Sequence, residues 1–308
     1  MIFPDLNINS QNTQTLKKVF HMSISFKYEY GGIPLVTISN RHASAVISLN
    51  GGHVMEYVRH GEPPVLWMSH NSCLEMGKPI RGGIPVCWPW FGAHPTNKNM
   101  PAHGFARICR WEIERAEEIN PDISTVMLSL TEKQVPKQFA ASPFHLMMTI
   151  SIGAELEISL KIMNTGKKTL KYSGALHTYF NISEIRKIKI TGLEGIPYYD
   201  ALAGENGMDS TPIKFKSEFD CVYFDKGDPC VIHDPQYKRR IVITKSGSLS
   251  SVVWNPWVAK SKRLQDFGDL DYHTMVCVET ANARQDSRTL KPGKSHTITS
   301  KIFAENYE

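Results

Sequence analysis

Apolar and polar residues alternate with a period of two along much of the chain. Between residues 22 and 30 every second residue is apolar, and residues 155–162 repeat the pattern with Glu, Ser or Lys at the other positions. Such alternation predicts β-strands that bury one face. Similar patterns predict strands at Met22–Tyr30, Ile33–Ser39, Ala43–Ser48, from Gly52 to Val58, Val65–Ser69, Trp111–Glu117, Thr125–Thr131, Phe144–Ile152, Glu155–Met163, Leu170–Phe180, Arg186–Thr191, Asp220–Phe224, Val231–His233, Arg239–Thr244, Ser250–Trp254, Met275–Glu279 and His296–Phe303.

Turn residues separate these strands at short intervals, and almost no segment has the 3.6-residue period of a helix. Many short antiparallel strands predict an all-β sandwich or barrel. The strands outnumber those of a seven-stranded sandwich, and no linker-like segment divides them. We therefore expect one large β-sandwich domain over residues 22–308. Residues 1–21 are expected to form a polar N-terminal extension that could be partly helical.

Composition narrows the functional classes. The chain is 41% hydrophobic and 21% charged, with a formal net charge of +5. The basic runs Lys238–Arg240 and Lys260–Arg263 are expected to be solvated turns, because no nucleic-acid-binding motif accompanies them. No apolar run approaches the roughly 18 residues of a membrane span, and residues 1–21 do not resemble a signal peptide. We expect a cytoplasmic monomer that binds neither nucleic acid nor membranes.

Cysteine and histidine spacing does not indicate a metal site. None of the six cysteines forms a Cys-x-x-Cys pair, so buried free thiols are expected rather than zinc ligands or a disulfide framework. The histidines at positions 53, 60, 70 and 94 also lack metal-ligand spacing and are expected to be structural or exposed. No cofactor is expected.

The segment from Asn71 to Arg107 is rich in glycine, proline and aromatic residues. That composition suits neither a helix nor a central strand, so an ordered irregular loop is expected. Arg81, His103 and Arg107 are its notable polar residues. Arginine forks match phosphate and carboxylate groups, and flat rings suit the faces of a sugar. The segment predicts a pocket for a small phosphorylated ligand, walled by its aromatic residues.

Three residues at strand ends could carry chemistry. His177 follows an apolar strand segment, Glu279 ends another, and Asp220 begins a third. Each has an ordinary explanation alone: a core histidine, a solvated glutamate and a strand-start acid. A buried glutamate, however, must be paired, hydrogen-bonded or functional. The aromatic turn Val253–Trp257 could be a platform on which a sugar stacks, or it could simply fill a corner of the sandwich. Together these residues indicate an acid/base site for a sugar.

Five motifs follow one another along the chain: Arg81–Gly92, Pro101–Arg107, His177–Phe180, Val252–Trp257 and Cys277–Glu279. In this order they resemble the hexose-6-phosphate mutarotases, also called glucose-6-phosphate 1-epimerases, a branch of the aldose 1-epimerase superfamily. The resemblance runs from about residue 22 to residue 304. It implies a galactose-mutarotase-like β-supersandwich of antiparallel sheets with few short helices.

The resemblance also implies an activity and residue roles. The protein would interconvert the α and β anomers of hexose 6-phosphates, with glucose 6-phosphate as the expected substrate. His177 would be the general acid and Glu279 the general base, so His177 must donate a proton and Glu279 must be ionised. Arg81 and Arg107 would hold the 6-phosphate, and Asp220 would contact the sugar.

Two positions in the second motif are less clear in role. His103 could be a ligand of a sugar hydroxyl or a structural brace. Ala102 stands where other members of the family often have a glutamine, so a polar contact made by that glutamine is missing or replaced here.

Three alternatives remain open at this stage. An aldose 1-epimerase acting on free sugars would leave two converging guanidinium groups without a charge to neutralise. A non-catalytic sugar-phosphate-binding protein could use His177 and Glu279 as hydrogen-bonding groups. A glycoside-cleaving enzyme would need two carboxylates across a bond, for which Asp220 and Glu279 are candidates.

Overall fold

The computed structural model describes residues 24–28, 32–139 and 142–307. The predicted extension over residues 1–21 lies outside the described residues. The predicted strand Met22–Tyr30 is observed as Ile24–Tyr28, at the start of the described part.

The described chain is built almost entirely of β-strands. In chain order they are β1 Ile24–Tyr28, β2 Pro34–Ser39, β3 Ala43–Ser48, β4 His53–Arg59, β5 Val86–Cys87, β6 Glu112–Asn120, β7 Ile123–Thr131, β8 Phe144–Ile152, β9 Leu156–Asn164, β10 Leu170–Tyr172, β11 Gly174–Leu176, β12 Tyr179–Asn181, β13 Lys189–Thr191, β14 Pro197–Asp200, β15 Glu205–Met208, β16 Phe219–Tyr223, β17 Cys230–Asp234, β18 Arg239–Ser246, β19 Ser250–Asn255, β20 Met275–Asn282, β21 Arg288–Leu290 and β22 Ser295–Asn306.

Helices are few and short. The described α-helix is α1 Trp257–Ser261, and the 3₁₀ helices are Ala106–Ile108, Glu132–Gln134, Lys137–Phe139, Asp271–His273 and Arg284–Asp286. In the described residues no helix is long and apolar enough to cross a membrane.

Two eight-stranded antiparallel sheets dominate the architecture. In sheet I the strands follow the order β15-β14-β16-β19-β20-β11-β5, and β12 also pairs with β20. In sheet II the order is β13-β17-β18-β22-β9-β8-β7-β6. Strands β1–β4 form a four-stranded sheet, and β10 pairs with β21. The predicted all-β class is confirmed.

Alternating burial explains why the long strands of sheet II form where the sequence predicts them. Along β8 the residues from Phe144 to Ile152 alternate between buried and half-buried, and β9 shows the same pattern. One hydrophobic cluster joins residues from both large sheets and from the four-stranded sheet. Burial of one face of each strand is the main stabilising contribution in such a sandwich.

The largest departure from the predicted strands concerns residues 170–180. The continuous strand predicted there is wrong, because the chain forms three short strands, β10, β11 and β12. The break after Leu176 leaves His177 outside a strand, with its backbone N–H donating to the carbonyl of Pro85 at 3.0 Å. The histidine therefore lies between two strands that both pair with β20.

Other predicted strands differ less. Val65–Ser69 makes only isolated bridges, from Leu66 and Met68. Strands β14 and β15, at one edge of sheet I, were not predicted, because their residues are mostly half-buried or exposed and show no alternation.

Candidate active site

The antiparallel pairing of β11 with β20 brings His177 and Glu279 together. Leu176 lies opposite Thr280, so the next residue of one strand faces the preceding residue of the other. His177 Nε2 lies 3.3 Å from Glu279 Oε1, and the two side chains are only 9% and 1% exposed. The structure thus joins two residues that are about a hundred positions apart in the sequence.

Aromatic rings fix the orientation of the His177 imidazole. It stacks on Tyr179 with ring centroids 4.8 Å apart and an interplanar angle of 13°. The rings of Trp254 and His103 approach it edge-on, at 6.2 Å and 5.5 Å. This packing limits rotation of the imidazole and keeps Nε2 directed at the Glu279 carboxyl.

Burial favours the neutral form of both residues of the pair. Desolvation lowers the pKa of His177 well below its ordinary value, and the neighbouring His103, Arg107 and Arg81 lower it further. Desolvation also raises the pKa of Glu279 well above its ordinary value; the charge of Asp220 adds to this, and Arg107 opposes it. Both shifts favour a neutral imidazole beside a protonated carboxyl over an ion pair.

One atom of each residue lacks a hydrogen-bond partner within the protein. His177 Nδ1 and Glu279 Oε2 are both buried and unpaired, which is uncommon for buried polar atoms. Both residues line a cavity of about 540 Å³. Hydroxyl groups of a ligand in this cavity can supply the missing partners.

Arg81 enters the cavity from the long irregular loop with its guanidinium already held. Nη1 donates to the Tyr179 hydroxyl at 2.9 Å, and Nη2 donates to Asp266 Oδ1 at 3.0 Å. Its Nε is buried and has no partner in the protein. Asp266 therefore neutralises part of the positive charge and fixes the orientation of the fork.

Arg107 lies on the 3₁₀ helix Ala106–Ile108, and its positive charge is less neutralised than that of Arg81. Its Nη2 donates to the carbonyl oxygen of Ala102 at 2.9 Å, and within the described ranges no carboxylate lies within 4.0 Å of the guanidinium. Ala102, at the position of the family glutamine, thus contributes its backbone rather than its side chain. Arg107 lines the same cavity as Arg81, and it is available for an anion.

His103 is held in a left-handed backbone conformation, with φ of 61°. Its N–H donates to the Gly92 carbonyl at 2.6 Å, and the Gly92 N–H approaches His103 Nδ1 at 3.4 Å. Burial, with Arg107 and Arg81, lowers the pKa of His103 to about 3. A neutral imidazole that accepts at Nδ1 carries its proton on Nε2, so His103 offers the cavity a hydrogen-bond donor.

Asp220, on β16, also lines the cavity. Desolvation raises its pKa, and Lys260 opposes that rise. Lys260 Nζ lies 3.7 Å from Asp220 Oδ2 and 3.0 Å from Glu218 Oε1. The structure thus brings His177, Glu279, Arg81, Arg107, His103 and Asp220 to one cavity.

Both basic runs depart from the expected solvated turns. Lys260 lines the cavity and is 29% exposed, because α1 turns it toward Asp220. Arg239 is only 2% exposed, and its guanidinium donates to the backbone carbonyls of Pro63, Pro64 and Asn181. The expectation is therefore wrong for these two residues, whereas Lys262 and Arg263 are exposed.

The aromatic residues of the irregular loop mostly do not wall the cavity. Trp88 and Phe105 are buried in the hydrophobic core, and only Phe91 among the large aromatic residues of this loop lines the cavity. In the predicted aromatic turn, Trp254 lines the cavity, while Trp257 packs against Tyr272. Trp254 is therefore the candidate sugar platform.

Sequence reasoning missed three residues that shape the site. Tyr179 and Asp266 hold Arg81, and Lys260 lies beside Asp220. Tyr179 was part of a recognised motif, but Asp266 lies 185 positions from Arg81, and no local pattern connects them. The run Lys260–Arg263 was visible, but its charges gave no indication of which lysine points inward.

The described residues contain no group of three or more His, Cys, Asp or Glu side chains that could hold a metal ion. The polar groups of the cavity are a buried histidine–glutamate pair, guanidinium donors and a carboxylate–lysine pair. This set can bind a polyhydroxylated anion and exchange protons with it.

Comparisons with known proteins agree with this arrangement. The pattern of the family described as aldose 1-epimerase matches residues 34–302. A protein of Escherichia coli strain K12, provisionally named glucose-6-phosphate 1-epimerase, is 34% identical over 270 residues, covering 87% of this chain and 90% of that protein. A protein of Cenchrus ciliaris with the same provisional name is 36% identical over 264 residues, covering 82% and 79%.

A solved structure shows the same fold. The crystal structure of a protein from Salmonella typhimurium, provisionally described as a mutarotase, superposes with a TM-score of 0.86 at 26% identity. The similarity covers 96% of this chain and 99% of that chain. The sandwich expected from the sequence resemblance is thereby confirmed.

Proposed function

The chain belongs to the aldose 1-epimerase family, whose pattern matches residues 34–302, and from this premise we propose that it interconverts the α and β anomers of glucose 6-phosphate. The observation that carries the proposed substrate is Arg107, a guanidinium without a carboxylate partner in the described part, in the same cavity as the His177–Glu279 pair. Relatives provisionally named for this substrate support the proposal.

The reaction needs one proton to leave the substrate and one to enter it. Glu279 takes the proton of the anomeric hydroxyl while His177 protonates the ring oxygen, and the ring opens to the aldehyde. Rotation about the C1–C2 bond and closure on the other face reverse both transfers. Each positioned acid or base contributes about 10² to 10⁴ in rate, roughly 3 to 5 kcal/mol.

The single proton of the resting pair fits this scheme. Burial places it on Glu279, whereas the scheme starts with Glu279 ionised and His177 protonated. Transfer of that proton across the 3.3 Å contact produces the required state without exchange with solvent. The dianionic phosphate adds negative charge to the cavity, and this charge stabilises a protonated imidazole.

The arginines bind the phosphate and do not take part in bond breaking, because the phosphate does not react. Arg107 gives the unneutralised charge, and Arg81 gives a fork already oriented by Tyr179 and Asp266. Asp220 accepts a hydrogen bond from a sugar hydroxyl, and His103 donates one from Nε2.

Anomer exchange measured by NMR tests the proposal. The wild-type protein should accelerate exchange of glucose 6-phosphate far more than that of glucose. His177→Ala and Glu279→Ala should each lower kcat by about 10² or more, without adding in the double variant because the two residues act as a unit.

The exposed residues His70 and Glu56 provide matched controls, and their alanine variants should keep the wild-type rate. Acceleration that survives both active-site substitutions would overturn the proposed mechanism. Equal acceleration of glucose and glucose 6-phosphate would instead assign the protein to free aldoses and remove the phosphate role of the arginines.

A further inference from the structure

Lys260 is a cavity residue to which the proposed mechanism gives no role. Its ammonium contacts Glu218 Oε1 at 3.0 Å and Asp220 Oδ2 at 3.7 Å, and it lies 5.7 Å from the ring centroid of Trp254. The side chain is 29% exposed. These contacts place a positive charge over the ring of Trp254, the proposed sugar platform.

Hydrogen bonds of Asn255 fix the backbone that precedes Lys260. The buried side chain of Asn255 donates to the carbonyls of Tyr272 and Met275 at 2.9 Å and accepts from the Trp257 N–H at 2.9 Å. Trp257 adopts a left-handed φ of 53°, which is uncommon for a large residue. These contacts fix the direction in which helix α1 leaves β19, and Lys260 lies on this helix.

Sheet I connects this lysine to the general base. Asp220 pairs with Trp254, which pairs with Cys277, two residues before Glu279. Strand spacing and rise place the backbones of Asp220 and Glu279 about 12 Å apart, and their side chains line one cavity. At that distance, in a partly desolvated site, a unit charge changes the proton affinity of Glu279 by a measurable amount.

The charges around the two carboxyls can be named. Asp220 is faced by Lys260, Glu218 and Asp200. Glu279 is faced by His177, Asp220 and Arg107. The neighbours of His177 add His103 and Arg81. In this set, Lys260 is the cation that directly opposes Asp220.

Given the proposed function, on which this inference rests, we propose that Lys260 is a positioning residue: its ammonium offsets the charge of Asp220 near Glu279, and the two residues together set the pH range in which the His177–Glu279 pair works. Asp220 can then contact the sugar as an ionised carboxylate while Glu279 still gives up its proton.

The test compares the pH dependence of kcat for anomer exchange of glucose 6-phosphate in matched variants. Lys260→Met should move both limbs of the profile to higher pH by roughly 0.5 to 1 unit, because loss of a cation strengthens proton binding throughout the site. Lys260→Arg should keep the wild-type position. Lys262→Met removes the same charge from an exposed neighbour and should leave the profile unchanged.

Asp220→Asn removes a negative charge instead of a positive one. It therefore tests the inference independently if Lys260→Met folds poorly. It should move both limbs to lower pH, and the double variant should return the profile to near the wild-type position. A lysine that only supports the fold would lower the height of the profile without translating it. Such a result, or shifts of the same sign for Lys260→Met and Asp220→Asn, would overturn the inference.

The same measurements separate this inference from the proposed function. If the wild-type protein does not accelerate anomer exchange, both the proposed function and the role of Lys260 are refuted. An active wild-type protein whose Lys260→Met profile coincides in position with the wild-type profile would remove the role of Lys260 alone.

Discussion

At the scale of single residues, the shared proton of His177 and Glu279 determines the expected pH dependence. The active pair holds one proton. A second proton must go to His177, whose pKa lies well below its ordinary 6.5, and the last proton must leave Glu279, whose pKa lies well above its ordinary 4.5. We therefore expect a bell-shaped profile of kcat/KM with a broad plateau, with an acid limb below pH 6.5.

The measurement is kcat/KM, because this ratio reports the ionisations of the free enzyme, to which these pKa shifts apply. The ionisation of the substrate phosphate, at about pH 6, is measured separately and divided out. The limbs belong to the coupled pair rather than to either residue. An acid limb near or above the ordinary pKa of histidine would show that the imidazole is not desolvated as the structure indicates.

Arg107 allows a direct prediction about substrate choice. Arg107→Met should raise KM for glucose 6-phosphate by about 10- to 100-fold, because a charge-assisted hydrogen bond is worth about 1.5 to 3 kcal/mol. The rate with glucose should hardly change. The neighbouring Arg110 is exposed, so Arg110→Met is the matched control. An equal loss of activity with both sugars would mean that Arg107 stabilises the fold of the loop and does not bind the phosphate.

Residue types and motif order predicted which side chains reach the cavity, but not how they are held there. His177, Glu279, Arg81 and Arg107 carry recognisable motifs. Asp266 does not, because a single aspartate far along the chain has no local signal for the arginine it neutralises. The raised pKa of Glu279 was also unpredictable, since it depends on burial that only the folded cavity creates.

At the scale of elements, the irregular loop depends on the close approach of Gly104 to Trp88. Gly104 has φ of 76°, and a Cβ there would lie 2.0 Å from the Trp88 carbonyl oxygen. Gly92 has the same φ of 76°, but a Cβ there would have no neighbouring atom within 4 Å. The two glycines therefore separate backbone strain from steric overlap.

Alanine at these positions should give different results. Gly92→Ala should cost only the left-handed strain, about 1 to 2 kcal/mol. Gly104→Ala should cost more than this, because the backbone itself must move, and it should also lower activity by displacing His103 and Arg107. Urea unfolding and anomer exchange measure both effects. Equal destabilisation by the two substitutions would show that the loop relaxes without difficulty around Gly104.

Strand prediction succeeded where one face of a strand is buried and failed where both faces have similar surroundings. Strands Ala43–Ser48 and Phe144–Ile152 were predicted at their observed bounds, because their alternation follows burial. Strand β15, at the edge of sheet I, and its neighbour β14 have no buried face to leave a pattern. The break at residues 177–178 was hidden, because apolar residues lie on both sides of it and neither glycine nor proline marks it.

At the scale of the whole molecule, the site exists because the strand order of sheet I brings distant segments together. Residues from Arg81 to Arg284 line one cavity, yet neither strand order nor register follows from periodicity alone. The resemblance to a family implied this convergence. Without it, the sequence would have predicted a sandwich and a set of candidate residues, but not their common location.

A buried ion pair ties the two large sheets together behind the site. Lys245 of β18, in sheet II, contacts Asp225 Oδ1 at 2.7 Å and Ser251 Oγ at 2.9 Å. Asp225 follows β16 and Ser251 belongs to β19, both in sheet I. The Lys245 and Asp225 side chains are 4% and 2% exposed, so removing one charge leaves the other buried without a partner.

Lys245→Met should therefore lower the free energy of unfolding by about 3 to 5 kcal/mol, the usual cost of an uncompensated buried charge. On the same strand, Arg240 forms an ion pair with Glu305 in which both side chains are about two-fifths exposed, so Arg240→Met should cost about 0 to 1 kcal/mol. Urea unfolding measures both values. Because β16 and β19 also carry Asp220 and Trp254, Lys245→Met should weaken substrate binding as well, whereas Arg240→Met should not. A small loss of stability in Lys245→Met would mean that the ion pair adds little to the apolar contacts that hold the two sheets together.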